Sequence, residues 1–502
     1  MEKIRESLGK AFDSGKTKSI AWRKQQLRAL QSLLNDNTQP ICDAARKDLG
    51  KADFDEYLVD MTPVLENIDL ALSSLDTWVE GRPVPTNLFN LPGSSEIRPE
   101  PLGVVCIIGP WNVNVFSTLG PLVGAISAGN CAFIKPGDYA ETMSICLADL
   151  LNKYLDNECF KSAHGGPELT QSILQHHWDL IFFTGSTAVG KIIYAGAAAH
   201  LTPVILELGG KSPCVVDASV EHKLDVTAKR ILWGAMTNTG QICIRPDYIF
   251  VHEKIAGKFK TELKEACMQF FGETPKNSQW LGRIINLRHF DRICGLIDDA
   301  KDFIFFGGER DRENRYIAPT LLDFGGKFED FSKSKIMQEE VFGPVLILCE
   351  FNDLSQVISF IKTKPKPLTS HIFSTCESQI DNFLSSVSAG GLVVNDTLVQ
   401  NSNVELPFGG VGLSGLGGRF QGKSGFDCFS NLKPVMRRSL RFDVSLRYPP
   451  YSQTAQKILK FLLNPFFGKL LRRIRSLFNF RNFLDVLLIA AVVTLSVLLS
   501  KK

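Results

Sequence analysis

Four short apolar runs alternate with helical segments between residues 102 and 208, and this alternation constrains the fold more than any other feature of the chain. The runs read VVCIIG, CAFIK, LIFFTG and PVILEL. Short runs of Val, Ile and Phe separated by helices are typical of βαβ units, whose strands lie parallel in one sheet. The sequence therefore predicts an α/β fold with a parallel sheet over this part of the chain.

The rest of the chain divides by pattern. Leucines at helical spacing (Leu27, Leu30, Leu33, Leu34) predict that residues 1–80 are helical. A second α/β stretch runs from about residue 211 to 390, with candidate strands at Tyr248–His252 and Val345–Cys349. The Pro- and Gly-rich residues 81–101 suggest a pairing element, and residues 391–450 are Gly-rich and loop-like. A length of 502 residues is more than one simple core accommodates, so we expect two or three packed units.

The C-terminal part differs in charge from the rest. Residues 456–484 hold seven Lys or Arg and no acidic residue, and two further lysines end the sequence. Removing these nine and Asp485 from the totals of 56 basic and 53 acidic residues leaves 47 and 52, a charge of −5 for the preceding body. An acidic body argues against nucleic-acid binding, and a basic tail favours an anionic membrane surface.

Residues 483–500 (FLDVLLIAAVVTLSVLLS) form an apolar run with one charge. Eighteen residues are the lower limit for crossing a hydrocarbon layer of about 30 Å, so we predict a transmembrane helix, with a buried core helix as the alternative. The basic, amphipathic residues 451–482 predict a membrane-proximal segment. Their positive charge places the body in the cytosol, at the endoplasmic reticulum or, alternatively, at the peroxisomal or mitochondrial outer membrane.

Cysteine usage and the N-terminal residues bear on the compartment. The 12 cysteines are scattered without a CxxC pair, and the N-terminal residues contain no apolar stretch of the secretory kind. We therefore expect reduced thiols in the cytosol. No His/Cys cluster has the spacing of zinc ligands, so no metal site is predicted.

Two Gly-containing motifs lie at the ends of predicted strands. FTGSTAVGK follows an apolar run and opens a helix, so Gly185 and the helix N-terminus could hold a pyrophosphate; a plain strand–helix turn is the alternative. In LELGGKSP, Glu207 lies between two leucines at the end of a strand. Burial there would raise its pKa and suit it to accept a proton, whereas a surface-facing strand residue is the simpler interpretation.

A cysteine and an asparagine lie on predicted loops. Cys243 in NTGQICIRPDYIF follows a Gly-containing turn, where neighbouring N–H groups could lower the pKa of its thiol; a structural cysteine is the alternative. Asn112 in GPWNVN follows the first predicted strand, and its amide could donate to an oxyanion, although asparagines in such places commonly form turns.

The order of these motifs identifies a family. The strings PWN, IKP, FTGSTAVG, ELGGKSP, GQICI, EEVFGPV and PFGGVG follow one another over about three hundred residues, and this series resembles the aldehyde dehydrogenase superfamily. The strings RIINLRHFDRI, RYIAPT, GKSGFDCFS and LRYPP, together with the apolar tail, resemble its class 3 branch and most closely the membrane-bound fatty aldehyde dehydrogenases.

The resemblance implies a catalytic set. Cys243 would be the nucleophile that forms a thiohemiacetal and then a thioester, and Asn112 with the Cys243 backbone N–H would hold the oxyanion. Glu207 would activate the hydrolytic water, and Glu340 is the alternative base.

The resemblance also implies how a nicotinamide cofactor, NAD or alternatively NADP, is held. The expected contacts are Lys135 at the adenosine ribose, Gly185, Ser186 and Gly190 at the phosphates, and Glu340 and Phe342 at the nicotinamide ribose. Asn395 matches a polar position near the active site.

The implied fold is aldehyde dehydrogenase-like. It consists of a Rossmann-like cofactor domain (1–82 and 102–208), a catalytic α/β domain (209–390), a bridging arm that pairs protomers into homodimers (83–101 and 391–450), and the C-terminal transmembrane helix. The implied reaction is NAD(P)-dependent oxidation of long-chain aliphatic aldehydes to carboxylic acids. The alternatives are a medium-chain or aromatic aldehyde dehydrogenase and, from another class, a catalytically inactive membrane-tethered scaffold.

Two positions depart from the family's pattern. The family's WNYP is Trp111-Asn112-Val113-Asn114 here, which puts the shape of the substrate tunnel in question. The family's IKPSE has Gly137-Asp138 at its end, which shortens a carboxylate near the expected adenosine ribose and leaves the choice between NAD and NADP open.

Overall fold

The computed structural model describes residues 1–463 except Leu91, Phe442 and 444–446. It contains two compact units. The first comprises Met1–Trp78 and Pro101–Ser430, and the second comprises Val79–Glu100 with the described residues from Asn431 onward. The predicted transmembrane helix at 483–500 lies outside the described residues, as does the membrane-proximal segment beyond residue 463.

The N-terminal part is helical as far as Val79, as predicted, and two strands of the second unit follow it. Ser19 accepts a hydrogen bond from the Trp22 N–H and so caps the second helix, which buries the four leucines of the predicted pattern. The elements are α1 (Glu2–Asp13), α2 (Ile20–Asp36), α3 (Thr38–Leu49), α4 (Asp53–Asp55), a π-helical turn (Glu56–Met61), α5 (Thr62–Val79), β1 (Arg82–Val84) and β2 (Ser94–Pro101).

The four predicted apolar runs form parallel strands of one sheet. The elements are β3 (Val104–Ile108), α6 (Asn114–Ala128), β4 (Cys131–Lys135), α7 (Glu141–Tyr154), β5 (Phe160–Ser162), α8 (Pro167–Leu174), β6 (Leu180–Gly185), α9 (Thr187–Ala198) and β7 (Val204–Leu208). Strands β7, β6, β3, β4 and β5 are adjacent in that order and all parallel. The prediction of a parallel α/β sheet is confirmed.

A second, seven-stranded sheet follows. The elements up to the last strand of this sheet are β8 (Pro213–Val216), α10 (Leu224–Met236), β9 (Tyr248–His252), α11 (Glu253–Phe271), α12 (Leu287–Asp299), β10 (Ile304–Phe306), β11 (Arg310–Asp311), β12 (Tyr316–Ile317), β13 (Thr320–Asp323), α13 (Phe328–Lys333), β14 (Val345–Phe351), α14 (Leu354–Thr363), β15 (Thr369–Phe373), α15 (Glu377–Ser386) and β16 (Gly391–Val394). The order is β10-β13-β14-β9-β8-β15-β16, with only β10 antiparallel among the described pairs. Both predicted strands are confirmed, and the second extends to Phe351.

Residues 391–430 belong to the first unit, although the sequence assigned 391–450 to the arm. Strand β16 completes the second sheet, and β17 (Gly415–Leu416) pairs antiparallel with β7 of the first sheet. The helix that follows, α16 (Gly422–Cys428), is anchored at its end, since Asn130 Nδ2 donates to the Phe429 carbonyl at 2.9 Å. The domain boundaries expected from the sequence stay a prediction.

The second unit contains a three-stranded sheet in the order β1-β2-β18, where β18 is Ser430–Arg437, and a final described helix α17 (Gln453–Leu462). Within it, Asn431 Nδ2 donates to Glu100 Oε1 at 2.8 Å, and Lys433 pairs with the same carboxylate. Among the described residues, no helix combines the length and apolar character needed to cross a membrane.

Alternating side chains of the second sheet form two separate cores. On β9, Tyr248 and Phe250 pack in one cluster, and Ile249 and Val251 pack in another on the opposite face. This is the period of two expected for a strand covered on both faces.

Replacing Phe250 tests the first of these cores. Phe250 is fully buried, and its ring contacts Phe331 and Phe360 at centroid distances of 5.3 and 5.6 Å. We expect Phe250→Ala to lower the free energy of unfolding by about 3–5 kcal/mol, because it leaves a cavity. Urea unfolding followed by tryptophan fluorescence measures this, with Phe54→Ala as the matched control, since Phe54 is 62% exposed. Equal midpoints for the two variants would contradict the assignment.

Candidate active site

Asn112, the predicted oxyanion donor, is buried in the loop between β3 and α6, which we call the Asn112 loop (residues 109–113). Its Nδ2 donates to the Gln241 carbonyl at 2.9 Å, and its own carbonyl accepts a hydrogen bond from Asn238 Nδ2, also at 2.9 Å. Gln241 and Asn238 lie just before Cys243, in what we call the Cys243 loop (residues 237–247). The structure therefore brings the two predicted loops together.

The backbone of the Cys243 loop is held in a left-handed conformation. Asn238, Thr239 and Gly240 have φ angles of 50°, 57° and 71°. A β-branched residue such as Thr239 is strained there by about 1–3 kcal/mol, so the surrounding packing must impose this conformation. At Gly240, a Cβ atom would lie 2.2 Å from the Gly343 carbonyl oxygen, so only glycine fits.

The Gln241 side chain supplies part of this restraint. Its Nε2 donates to the Arg283 carbonyl at 3.1 Å, and its Oε1 accepts the Ile285 N–H at 3.0 Å. Gln241 is buried, so both polar ends need these partners. One residue thus links the segment before α12 to the loop that also receives the Asn112 amide.

Cys243 is half-buried, and its thiol is surrounded by negative charge. Burial, followed by the nearby charges of Glu340 and Glu207, raises the pKa of the thiol to about 12. The N–H groups of Cys243 and Ile244 act in the opposite direction, as the sequence suggested, but they do not prevail. The N–H groups thus lower the pKa of the thiol as expected, but burial outweighs them and the net shift is upward.

Glu207 is buried at the end of β7, so the alternative of a surface-facing strand residue is wrong. Burial raises the pKa of its carboxyl well above the usual range, as predicted. Its Oε2 accepts the Gly410 N–H at 3.3 Å, whereas Oε1 has no hydrogen-bond partner in the described part of the chain. The carboxyl thus keeps one oxygen for a further hydrogen bond.

Glu340 lies against the two glycines that follow Glu207 and Leu208. A Cβ atom at Gly209 would lie 2.2 Å from Glu340 Oε2, and the Gly210 N–H bonds the same carboxylate. Burial, with the negative charge of Asp247, raises the pKa of Glu340 to about 8. Both candidate bases therefore lie beside the ELGGK turn, and both act on the Cys243 thiol.

The predicted phosphate turn has the expected local structure. Strand β6 ends at Gly185, and Ser186 caps α9 by accepting the Val189 N–H at 3.3 Å. Gly190 faces Leu208, whose side chain a Cβ would approach to 2.7 Å, so the helix packs closely on β7. A helix N-terminus after a parallel strand offers N–H groups and a positive dipole to a pyrophosphate.

Lys135 lies at the end of β4, where it is buried with its Nζ 3.8 Å from Asp138 Oδ1. Burial lowers the pKa of Lys135, while Asp138 opposes this shift. A buried cation at a strand end and a helix N-terminus two strands away suit a ligand with hydroxyl and phosphate groups. The residues present thus fit a dinucleotide.

An aromatic cluster beside the Asn112 loop was not predicted from the sequence. The Trp111 ring lies 5.5 Å from His289 and 5.4 Å from Phe342, and Tyr139 lies 6.0 Å from His289. Phe342 has a φ of 50°, a conformation that a bulky residue rarely adopts. The residues come from four separate parts of the sequence. Of these, Phe342 was expected at the nicotinamide ribose and Trp111 lies next to Asn112, whereas nothing in the sequence pointed to His289 and Tyr139.

The two departures from the family's pattern contact each other. Asn114 Oδ1 accepts the Gly137 N–H at 3.2 Å, and Asn114 Nδ2 donates to the Gly137 carbonyl at 3.4 Å. A Cβ atom at Gly137 would lie 2.2 Å from the Pro110 carbonyl group, so the position requires glycine. Val113 and Asn114 are both buried. The Asn112 loop is thereby joined to the loop after Lys135.

Asn395 has its amide occupied by backbone bonds. Its Oδ1 accepts the Ser374 N–H at 2.8 Å and its Nδ2 donates to the Ser374 carbonyl at 2.9 Å. The residue thus fixes the end of β15 to the end of β16. Its predicted place near the active site stays a prediction.

Comparison with known proteins identifies the family. A family model described as the aldehyde dehydrogenase family matches residues 1–435. The chain belongs to the aldehyde dehydrogenase family, and it is an NAD(P)-dependent enzyme.

Relatives confirm the class 3 branch that the motifs predicted. Aldehyde dehydrogenase family 3 member A2 of Pongo abelii is 42% identical over 461 residues, covering 91% of this chain and 93% of that one. The dimeric NADP-preferring aldehyde dehydrogenase of Rattus norvegicus is 42% identical over 442 residues, covering 88% and 95%. The substrate-bound structure of Staphylococcus aureus AldH is 38% identical and superposes with a TM-score of 0.87, covering 92% and 99%.

The electrostatics of Cys243 predict how its alkylation responds to charge removal. At pH 9, above the pKa of about 8 at which Glu340 ionises, replacing Glu340 by Gln removes a negative charge that raises the pKa of the Cys243 thiol. More thiolate then forms, and iodoacetamide modifies Cys243 faster in the variant than in the wild type. Peptide mass spectrometry of the cofactor-free protein measures the rate.

Cys376 provides the internal control for this experiment. It is hydrogen-bonded to Ser378, which lowers the pKa of its thiol. Its alkylation rate should be the same in the wild type and in Glu340→Gln. An unchanged Cys243 rate alongside an unchanged Cys376 rate would show that Glu340 does not act on the thiol.

Proposed function

We propose that this enzyme oxidises long-chain aliphatic aldehydes to carboxylic acids through a covalent intermediate on Cys243. The observation that supports the chemistry is that two acidic side chains, Glu207 and Glu340, act electrostatically on the Cys243 thiol, while Asn112 bonds the loop that bears this thiol. The long-chain substrate class is supported by the apolar run at 483–500, since such aldehydes partition into lipid.

The first step requires that the Cys243 thiol lose its proton. With a pKa of about 12 the thiol is protonated near neutral pH. Glu340 or Glu207, in those molecules in which that carboxyl is ionised, takes the proton as the sulfur attacks the carbonyl carbon. The carbonyl oxygen becomes an oxyanion. The second N–H of the Asn112 amide, together with the Cys243 N–H, donates to it.

NAD(P)⁺, when bound, would accept the hydride from the carbon attached to the Cys243 sulfur; the C=O bond re-forms and a thioester remains on Cys243. We infer that Lys135, Gly185, Ser186 and Gly190 hold its adenosine and phosphate parts, with Glu340 and Phe342 at the nicotinamide ribose. Two strand ends and one helix N-terminus of the first sheet carry the first four of these residues.

The last step is hydrolysis of the thioester on Cys243. Glu207 has one oxygen bonded to the Gly410 N–H and the other without a partner among the described residues, so it can take a proton from water. The hydroxide adds to the acyl carbon, the C–S bond breaks, and the acid leaves. Glu340 is the alternative base, because the pKa of its carboxyl, about 8, is also suited to the task.

We further propose a homodimer that is anchored by residues 483–500 with its body in the cytosol. The basic residues between 456 and 484 support that orientation, at the endoplasmic reticulum above all. A relative named as a dimeric, NADP-preferring enzyme supports the dimer and keeps NADP as an alternative cofactor. Strands β1, β2 and β18 are the part we assign to the pairing arm.

Turnover of detergent-solubilised protein with hexadecanal and with hexanal tests the proposal. We expect higher kcat/KM for hexadecanal, and a loss of at least about 1000-fold in Cys243→Ala, because the covalent route is removed. Cys214→Ala, in a buried strand with no neighbouring carboxylate effect, is the matched control. Preference for hexanal would exclude the long-chain assignment, and full activity of Cys243→Ala would exclude the nucleophile.

Truncation after Tyr451 tests the role of the tail. If the tail brings the enzyme to lipid-dissolved substrate, activity on hexadecanal in vesicles falls about 10-fold or more, whereas activity on hexanal is retained within about twofold. Equal losses on both aldehydes would show that the tail acts on the body and not on substrate delivery.

A further inference from the structure

The loop Phe408–Phe420 closes over Glu207. Its two terminal phenylalanines exchange backbone hydrogen bonds at 2.9 and 2.8 Å, and within it Gly415 pairs with Glu207 in register. The two ends of the loop are therefore hydrogen-bonded to each other, and its Gly415 is paired with β7 at Glu207, the candidate base.

Arg419 connects this loop to the second sheet. Its guanidinium Nη1 donates to the Gly390 carbonyl at 2.8 Å and to the Gly409 carbonyl. Gly390 immediately precedes β16, and Gly409 immediately precedes Gly410, whose N–H bonds Glu207. The arginine thus fixes the turn that presents a donor to the carboxylate.

The side chains of Arg419 and Glu207 both lie against Gly409. A Cβ atom at Gly409 would lie 2.7 Å from Glu207 Oε1 and 3.2 Å from Arg419 Cγ. A side chain at this position would therefore collide with the Glu207 carboxylate and crowd the Arg419 side chain. Gly409 has a φ of 158°, which L residues rarely adopt, so both the backbone conformation and the close approach require glycine here.

The charge of Arg419 acts on Glu207, although the hydrogen bonds of Arg419 go to the Gly390 and Gly409 carbonyls. The charged or titratable groups that act on this carboxyl, or on which it acts, are Arg419 and the thiols of Cys243 and Cys428. Arg419 lowers the pKa of Glu207 against the larger effect of burial. Because Arg419 donates its hydrogen bonds to carbonyls and not to Glu207, the Glu207 carboxyl group keeps one oxygen for water.

We propose that Arg419 is a positioning residue of this enzyme: it fixes the Gly409–Gly410 turn against Glu207 and acts on that carboxyl group with its positive charge. The proposal rests on the proposed function, in which Glu207 deprotonates the water that hydrolyses the thioester. Arg419 itself contacts no reacting atom.

The test compares Arg419→Met, which removes the charge, with Arg419→Lys, which keeps it. Stopped-flow appearance of NAD(P)H with hexanal separates the first turnover from steady-state turnover, which includes thioester hydrolysis. In Arg419→Met we expect a first turnover within about twofold of wild type and a kcat about 10-fold lower at pH 7. Without the cation Glu207 ionises at higher pH, so the acidic limb of kcat moves up by about one pH unit. Arg419→Lys should keep that limb in place.

Two variants complete the design. Arg230→Met is the matched control, because Arg230 also donates to a backbone carbonyl, that of Asn395 at 2.6 Å, and it is not among the groups that act on Glu207. Arg419→Gln keeps a donor without the charge and replaces Arg419→Met if that variant does not fold, as judged by thermal unfolding and cofactor binding. It should show the same shift of the acidic limb.

The outcomes separate this inference from the proposed function. If Glu207→Gln slows steady-state turnover while Arg419→Met and Arg419→Gln keep the wild-type acidic limb, the role of Arg419 is overturned and that of Glu207 stands. Equal losses in Arg419→Met and Arg419→Lys, with the limb unmoved, would likewise overturn it, because that is the result of a purely structural role. A wild-type rate in Glu207→Gln would overturn the assignment of the base itself.

Discussion

The hydrogen bonds between the Asn112 loop and the Cys243 loop are the interaction on which the site depends. The Asn112 loop follows β3 of the first sheet, and the Cys243 loop precedes β9 of the second sheet. The hydrogen bonds from Asn112 to Gln241 and from Asn238 to Asn112 join the two loops. The strain of three left-handed residues can persist because these bonds, and those of the Gln241 side chain, over-determine the conformation. The proposed oxyanion donor Asn112 and the loop of the proposed nucleophile Cys243 are thus held by hydrogen bonds to backbone carbonyls, whose positions do not depend on a side-chain rotamer.

The same loops create an electrostatic conflict that the reaction can use. A thiol and two carboxyl groups share a buried region, and burial makes the charged form of each unfavourable. The Cys243 thiolate and the carboxylates of Glu207 and Glu340 repel one another, so ionisation of one group disfavours ionisation of the others. A proton that leaves the sulfur has a carboxylate nearby as its acceptor. Two glycines make this arrangement possible. The Glu340 carboxylate lies against Gly209 and the Glu207 carboxylate lies against Gly409, and a side chain at either glycine would collide with the carboxylate.

Most of the fold was predictable, because apolar runs bounded by helices show where strands begin and end. The site motifs were predictable where a family string marks them, as for Cys243, Glu207 and Asn112. The raised thiol pKa was not, because it depends on how deeply the loop is buried and on two carboxylates from positions 207 and 340. Nor was the strand Gly415–Leu416, because it is only two residues long, lies in a glycine-rich stretch and pairs with the distant strand β7. Arg419 gave no signal, since its partners are backbone carbonyls.

The bonds between Asn114 and Gly137 have a consequence for how this sequence can change. Gly137 has no room for a side chain while the Pro110 carbonyl group stays where it is, and that carbonyl belongs to the loop whose end Asn114 ties to Gly137. A serine at 137 demands a shifted loop, and a proline at 114 cannot hold the present one, since it has no side-chain amide. The two positions are therefore coupled: a side chain introduced at 137 requires a different course of the loop that Asn114 now holds.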